Sequence, residues 1–258
     1  MSRGPLRDGD TVVLVDAKGR RHLKSLRSGH RITIRGSIVR ADDLIGCEEG
    51  AVAGEPERFI VLRPTCAELT TLVERPAEPI FAKDVGAIVT RADLGAGMSV
   101  VEVGVGAGLL SIALLRILGP QGCLTSYEIR NDFARLAREN VGRYYGRPAN
   151  WRLVVADAAA GIDTSGADAV ILDVPEPDRI VPAAARALRY GGTLAVYLPN
   201  VPQVERLREV LSRGSGFGLV ETIEVFERPW LFEGASVRPA HRMVAHTAFL
   251  TFARRLPD

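Results

Sequence analysis

Two rhythms of hydrophobic and polar positions divide this chain. From about residue 11 to residue 40, apolar and polar residues alternate in short runs around turn signals at Ala17-Lys-Gly19 and Ser28-Gly29, the pattern of antiparallel strands with one wet face. The stretch closes on a strand at Arg58–Arg63, Thr65–Val73 predicts a short helix, and Pro76 and Pro79 mark a connection. Beyond it the period switches. Helices are expected at Lys83–Ala92, Leu109–Leu118, Asn131–Tyr145, Pro182–Leu188 and Pro202–Ser212. Strands are expected at 98–103, 122–128, Trp151–Val155, Ala167–Asp173 and Gly192–Leu198. Two closing strands, 217–227 and 246–253, have no helix between them and are expected to pair as an antiparallel hairpin. Alternation of this kind indicates an α/β protein with a mostly parallel sheet wound on both faces. The expected organisation is a small β-rich domain over 1–64, a linker with a short helix over 65–78, and an α/β domain over 79–258.

Composition narrows the class only a little. With 258 residues, 47% hydrophobic and 25% charged, the chain is long enough for one large α/β domain and a smaller one. No apolar run approaches the roughly 20 residues that span a bilayer, and the first residues lack the apolar core of a signal peptide, so a cytoplasmic protein without a membrane partner is expected. Cys47, Cys66 and Cys123 are odd in number, far apart and outside any C-x-x-C pair, which predicts buried thiols with no disulfide framework and no metal site.

The most informative stretch is Val100-Val-Glu-Val-Gly-Val-Gly-Ala-Gly-Leu-Leu110, where a β-branched run ends in three glycines spaced two apart and opens into a helical pattern. A strand, tight turn and helix in that order hold a nucleotide-like cofactor. A dinucleotide fingerprint wants G-x-G-x-x-G so that the helix N-terminus receives a pyrophosphate. Counted from Gly104 the third glycine position is Leu109, and counted from Gly106 it is Ser111. The register that fits is E-x-G-x-G-x-G at Glu102, Gly104, Gly106 and Gly108, the motif of class I, Rossmann-like methyltransferases, whose S-adenosylmethionine carries a sulfonium and an amino-acid tail in place of phosphates. Gly104, Gly106, Ala107, Gly108, Leu109 and Leu110 are then the cofactor loop, with Glu102 leading into it. Glu128, closing the next predicted strand, is placed to accept from both ribose hydroxyls.

In doubly wound sheets the ligand lies at the carboxyl ends of the strands. Asp157 follows the third strand and is a candidate acceptor for the exocyclic amine of the cofactor's adenine. Asp173, in Leu172-Asp-Val-Pro-Glu-Pro177, faces where the methyl donor is expected. The competing role for an acid at such a place is to cap the following helix.

Charge is distributed unevenly. Between Lys18 and Arg40 stand eight basic residues, two histidines and no acid. That run is a candidate phosphate-binding surface, with Arg20, Arg21 and Lys24 as the expected contacts, against the alternative of a solvated β surface.

Together these motifs resemble the tRNA (adenine-N1)-methyltransferases that act on the T loop at adenine 58 and, in archaea, also at 57. The resemblance runs over nearly the whole chain: Arg35-Gly-Ser-Ile38, Asp42-Asp-Leu-Ile-Gly46, Leu62-Arg-Pro-Thr65, Ile80-Phe-Ala-Lys-Asp84, the glycine loop, Ser126-Tyr-Glu128, Leu172–Pro177, Tyr197-Leu-Pro-Asn200 and His246-Thr-Ala-Phe-Leu250. It implies a small N-terminal β domain, a methyltransferase domain using S-adenosylmethionine, tRNA as partner, and a homotetramer. Three departures stand out. Phe81-Ala82 replaces a common Tyr-Pro and loses a phenol, Ala107 replaces a frequent Ser, and Asp178 stands where bacterial members often have Trp.

The chemistry follows from the acceptor. Adenine N1 already carries a lone pair, so transfer needs in-line alignment and no base. The product is cationic, and Asp173 suits both tasks that remain: accepting from the N6 amine, and stabilising charge on the ring. Phe81 or Tyr197 is placed to stack on a base withdrawn from the loop. Two other classes stay open at this point. A methyltransferase for another RNA or protein nitrogen is one; an N6-adenine or protein-glutamine enzyme would normally show an Asn/Asp-Pro-Pro-Tyr-like tetrapeptide where this chain has Asp173-Val-Pro-Glu176. The other is an inactive RNA-binding subunit, which would have no need of the glycine loop and acids that remain.

Overall fold

The computed structural model describes residues 4–74 and 78–257. They fall into two compact units that divide after residue 76. Pro76, expected to mark the connection, lies outside the described residues.

The first unit contains β1 (Thr11–Val15), β2 (Arg21–Ser25), β3 (Arg31–Ile34), β4 (Ser37–Arg40), β5 (Val52–Ala53), β6 (Phe59–Leu62) and helix α1 (Cys66–Leu72). A four-stranded antiparallel sheet runs in the order β2-β1-β6-β5, and β3 and β4 form a separate hairpin. That hairpin turns at Arg35 and Gly36, both at positive φ (49° and 87°), which matches the right-handed twist of its strands. Leu14, Leu26, Val39, Phe59 and Val61 form the core beneath. α1 begins with a reciprocal cap: Glu68 N–H donates to Thr65 Oγ1 at 3.1 Å and Thr65 N–H donates back to Glu68 Oε2 at 2.9 Å.

The second unit runs α2 (Ala82–Arg91), β7 (Ser99–Val103), α3 (Leu109–Leu118), β8 (Cys123–Glu128), α4 (Asn131–Tyr144), β9 (Trp151–Val155), β10 (Ala167–Leu172), α5 (Val181–Ala187), β11 (Leu188–Leu198), α6 (Val201–Ser212), β12 (Phe217–Glu224), β13 (Trp230–Glu233), β14 (Ser236–Pro239) and β15 (Phe249–Arg255). Its seven-stranded sheet has the order β12-β15-β11-β10-β7-β8-β9. β15 is antiparallel to both neighbours, and the pairings from β11 to β9 are parallel. Strands buried on both faces carry apolar runs such as Ala169–Leu172. The chain leaves β7 toward β8 on one side and returns as β10 on the other, so the sheet reverses its strand order between β7 and β10. Ligands of such sheets bind at that crevice.

Three expectations are corrected. The closing strands pair as antiparallel neighbours, but between them lies a second hairpin, β13–β14, that the hydrophobic pattern did not reveal. Its strands are four residues each, and Trp230, Phe232 and Val237 are exposed, so alternation was too brief to register. Second, β11 begins at Leu188, where helix was expected, because Ala167 pairs with Leu188 before a bulge restores register at Thr193. Third, the cysteines are not buried: Cys47 and Cys66 are half-buried and Cys123 is exposed. Cys123 is the first residue of β8 and lies at its exposed end, and the residues that follow it in the strand are buried. Among the described residues no helix is long and apolar enough to cross a membrane.

Candidate active site

The glycine loop connects β7 to α3 at the reversal point. Gly104 has φ +87°, and a Cβ there would lie 2.0 Å from Asp173 O, so only glycine lets the loop lie directly against the end of β10. Asp173 N–H in turn donates to Val103 O at 2.8 Å. The loop is held from the other side by Glu128. Its Oε2 accepts from Val105 N–H at 3.1 Å and Gly106 N–H at 3.2 Å, and its Oε1 from Arg130 N–H at 2.9 Å. Asn140 Nδ2 donates to Ala107 O at 2.9 Å.

These bonds bear on the choice of cofactor. In a pyrophosphate site the first free N–H groups of such a loop receive phosphate oxygens. Here Val105 and Gly106 are already bonded to a carboxylate. An anion at this place would meet a negative charge, and a cation would be welcomed.

An open cleft of about 310 Å³ lies at the ends of β7, β8, β9 and β10. Gly104, Glu128 and Asp157 line it together with Ile129, Pro175 and Arg179. Asp157 does two things: Oδ1 caps the following turn by accepting from Ala159 N–H at 2.9 Å, and Oδ2 lies 3.9 Å from Arg179. Arg179, which also pairs with Glu176 at 3.0 Å, carried no signal in the sequence beyond its nearness to the proline-rich loop. Glu102 does not line the cleft. It is wholly buried beneath the loop, where Oε2 accepts from Ser111 Oγ at 2.7 Å and Ser126 Oγ at 2.6 Å while Oε1 has no partner. Ala107, Leu109 and Leu110 have buried side chains, and Gly108 is the left-handed N-cap of α3. Of these residues, only backbone groups are available to a ligand.

Asp173 is half-buried, and no donor among the described residues reaches its carboxylate. Burial and the nearby charge of Glu128 push it up to about 7. Burial likewise pushes Glu102 up to about 7, against the lowering effect of its two serines. Glu128 lines the cleft, Glu102 lies buried beneath its loop, and Asp173 ends β10 against Gly104 without itself lining the cleft. No side-chain cation is paired to any of the three among the described residues, and Glu102 Oε1 is an orphaned buried oxygen. A set of acceptors with no cation of its own suits a ligand that carries positive charge, as S-adenosylmethionine does.

The shifts carry a pH dependence of fixed sign. Asp173, raised to about 7, mostly holds its proton at pH 6, and a cationic ligand beside it favours the ionised form, so binding is expected to expel that proton. Affinity for S-adenosylmethionine is therefore expected to rise between about pH 6 and about pH 8 and to be accompanied by proton release. Calorimetric titrations in buffers of different ionisation enthalpy measure both, and a flat affinity profile without proton release contradicts the assignment.

Tyr197 stands at the end of β11, one strand from Asp173. It is half-buried, and burial together with the charges of Asp84 and Asp173 raises its pKa. Phe81 is the N-cap residue of α2 and is half-buried. Neither lines the cleft. Near them lies a cluster that the sequence offered only as part of a motif. Lys83 Nζ donates to Asp84 Oδ1 at 2.8 Å, Val225 O at 2.7 Å and Thr247 Oγ1 at 2.6 Å, and Thr247 Oγ1 donates to Asp84 Oδ2 at 2.7 Å. Asp84 is fully buried, and so paired it locks α2 to the segment entering β15.

In the first unit the basic run meets acids. Asp16 Oδ2 accepts from Arg20 Nε at 2.6 Å, and Arg21 Nε lies 3.1 Å from Glu68. Lys24 is half-buried on β2. Among the described residues no group of three or more His, Cys, Asp or Glu is placed to hold a metal ion.

The sheet order, the loop bonded to Glu128 and the acid at the end of β10 define a class I S-adenosylmethionine-dependent methyltransferase. The chain belongs to the family described as tRNA methyltransferase complex GCD14 subunit, which matches residues 58–236, and the family described as TrmI-like N-terminal matches residues 4–53. It is 34% identical over 247 residues to the tRNA (adenine(58)-N(1))-methyltransferase TrmI of Thermus thermophilus, covering 95% of this chain and 96% of that one. It is 29% identical over 273 residues to the tRNA (adenine(57)-N(1)/adenine(58)-N(1))-methyltransferase TrmI of Methanocaldococcus jannaschii, covering 95% of each. The crystal structure of tRNA (m1A58) methyltransferase TrmI from Aquifex aeolicus superposes with a TM-score of 0.85 at 27% identity over 99% of this chain and 100% of that one. A Thermotoga maritima structure described as an SAM-dependent O-methyltransferase superposes with a TM-score of 0.93 at 27% identity over 100% and 97%.

Proposed function

We propose that this protein transfers a methyl group from S-adenosylmethionine to N1 of adenine 58 in the T loop of tRNA. The observation that carries the reading is Asp173, a carboxylate without a hydrogen-bond partner among the described residues, at the crevice where the cofactor's charged end belongs. The relatives' names supply the acceptor, and the site supplies a means to act on it.

When bound, S-adenosylmethionine supplies a methyl group on a cationic sulfur. The residues that would hold it are Glu128 at the ribose, Asp157 at the adenine, and the backbone of Gly104 to Gly108 at the tail. Asp173 accepts from the N6 amine of the target base, which turns N1 toward the methyl group. As the lone pair on N1 is shared, positive charge grows on the purine, and the same carboxylate stabilises it without any side chain moving. Ionised Asp173 is needed for both, so transfer follows its deprotonation. Phe81 and Tyr197 offer ring faces for a base that has left the loop, at the cost of unstacking it.

Reverse transcription of tRNA treated with the purified protein tests the reading, because a methyl on N1 blocks Watson–Crick pairing. A stop at adenine 58 that disappears in a tRNA lacking that adenine is expected, and a stop at 57 reports a second target. Methylation elsewhere, or none, overturns the proposal.

The reading places the protein in the cytoplasm with its tRNA and makes it a homotetramer. Support for assembly is the β13–β14 hairpin, whose Trp230, Phe232 and Val237 are 56%, 75% and 56% exposed. Sedimentation of the protein against a Trp230→Ser/Phe232→Ser variant is expected to show a smaller species for the variant.

A further inference from the structure

Arg31 and Arg40 are register partners on the exposed face of the β3–β4 hairpin. Like charges directly opposite one another destabilise a strand pair. Among the described residues no carboxylate pairs with either, in contrast to Arg20 and Arg21. The two guanidinium groups stand on one wall of an open groove of about 770 Å³. The facing wall is the turn from β5 to β6 with Arg58, whose Nη2 donates to Val52 O at 3.1 Å. Ile38 and Val52, 42% and 45% exposed, form an apolar floor between the arginines.

The walls are fixed to each other. Ile38 N–H donates to Glu55 O at 2.9 Å and Glu55 N–H donates to Ile38 O at 3.1 Å. At Gly54 a Cβ would come within 2.7 Å of Glu57 O and 3.1 Å of Val39 Cγ2, so the turn lies tightly against the hairpin. Asp43 and Glu55 also line the groove, leaving three positive side chains against two negative ones.

We propose that this groove binds the sugar–phosphate backbone of RNA, with Arg31, Arg40 and Arg58 on phosphates and the Ile38–Val52 floor under sugar or base faces. The proposal rests on tRNA being the substrate and names the phosphate-binding residues of the small unit. It explains why a like-charged pair is kept with neither guanidinium paired to an acid: a phosphate between the two turns repulsion into two charge-assisted bonds.

The test is an Arg31→Ser/Arg40→Ser/Arg58→Ser variant, with Arg31→Ser/Arg40→Ser as the milder form and Arg21→Ser/Lys24→Ser as the comparison. Affinity for tRNA is measured at several salt concentrations, with S-adenosylmethionine binding as the check on folding. Each phosphate that the protein no longer neutralises lowers the log–log salt slope by about 0.7–0.9, so the triple variant is expected to lose about 2 in slope and at least tenfold in affinity near 0.1 M salt. The Arg31→Ser/Arg40→Ser variant is expected to lose less than the triple variant and to melt no lower than the parent, since it removes a repulsion. An unchanged slope in variants that still bind cofactor overturns the groove, as does an equal slope loss in the comparison variant. A change in self-association with the slope intact assigns the groove to a protein interface and also overturns it. Failure of the parent to methylate tRNA sinks the proposed substrate and is a separate result.

Discussion

Asp173→Ala is expected to lower the rate of methyl transfer by roughly 10²–10³-fold, the usual effect of removing one electrostatic group aimed at developing charge. The loss belongs in the transfer step, because the carboxylate orients N1 and answers the charge that appears on the purine as the bond forms. Cofactor affinity is expected to fall less. The variant also tests the pH argument: burial and Glu128 hold Asp173 near 7, and removing the group removes its share of the proton release on cofactor binding. Single-turnover rates on full-length tRNA across pH, with calorimetry for the proton release, measure both effects. A variant turning over within threefold of the parent leaves Asp173 no role beyond closing the strand.

Glu128→Ala is expected to weaken S-adenosylmethionine binding by on the order of a hundredfold or more, with tRNA affinity unchanged. The carboxylate accepts from Val105, Gly106 and Arg130 N–H groups and is the proposed acceptor for the ribose hydroxyls. Bonds to a charged group contribute about 1.5–3 kcal/mol each, so removing even one bond to the ribose costs about tenfold, and a loop with unpaired N–H groups adds to it. Glu128→Gln separates the two roles. It retains an acceptor for the loop and removes the charge, and since that charge helps raise Asp173, the pH midpoint of transfer is expected to move down. Titration calorimetry and pH–rate profiles read the two outcomes. Unchanged cofactor affinity in the alanine variant would place Glu128 outside the site.

Much of the second unit was legible from spacing alone because its elements are long and its signals local. The Leu109–Leu118 helix and the Trp151–Val155 strand occur where periodicity placed them, and the Gly-x-Gly-x-Gly spacing located the turn against which Asp173 lies. The β13–β14 hairpin was not legible: its apolar residues face outward, and alternation reports burial only where one face is covered. A two-residue Gly234-Ala235 turn was the one signal present.

The sequence by itself determined the fold class, the cofactor loop and the strand-end acids, since each depends on residues close together along the chain. Tertiary structure alone decided what those residues touch. An acid-free run of arginines became two different surfaces once Glu68 reached Arg21 from a helix outside the run and hairpin register set Arg31 opposite Arg40. Glu102, which leads the glycine motif, was turned under the loop onto Ser111 and Ser126, and Lys83 and Asp84 were closed over by Thr247 from the far end of the chain. Charge balance and burial are sums over neighbours in space, and a linear pattern does not say which residues of other elements become those neighbours.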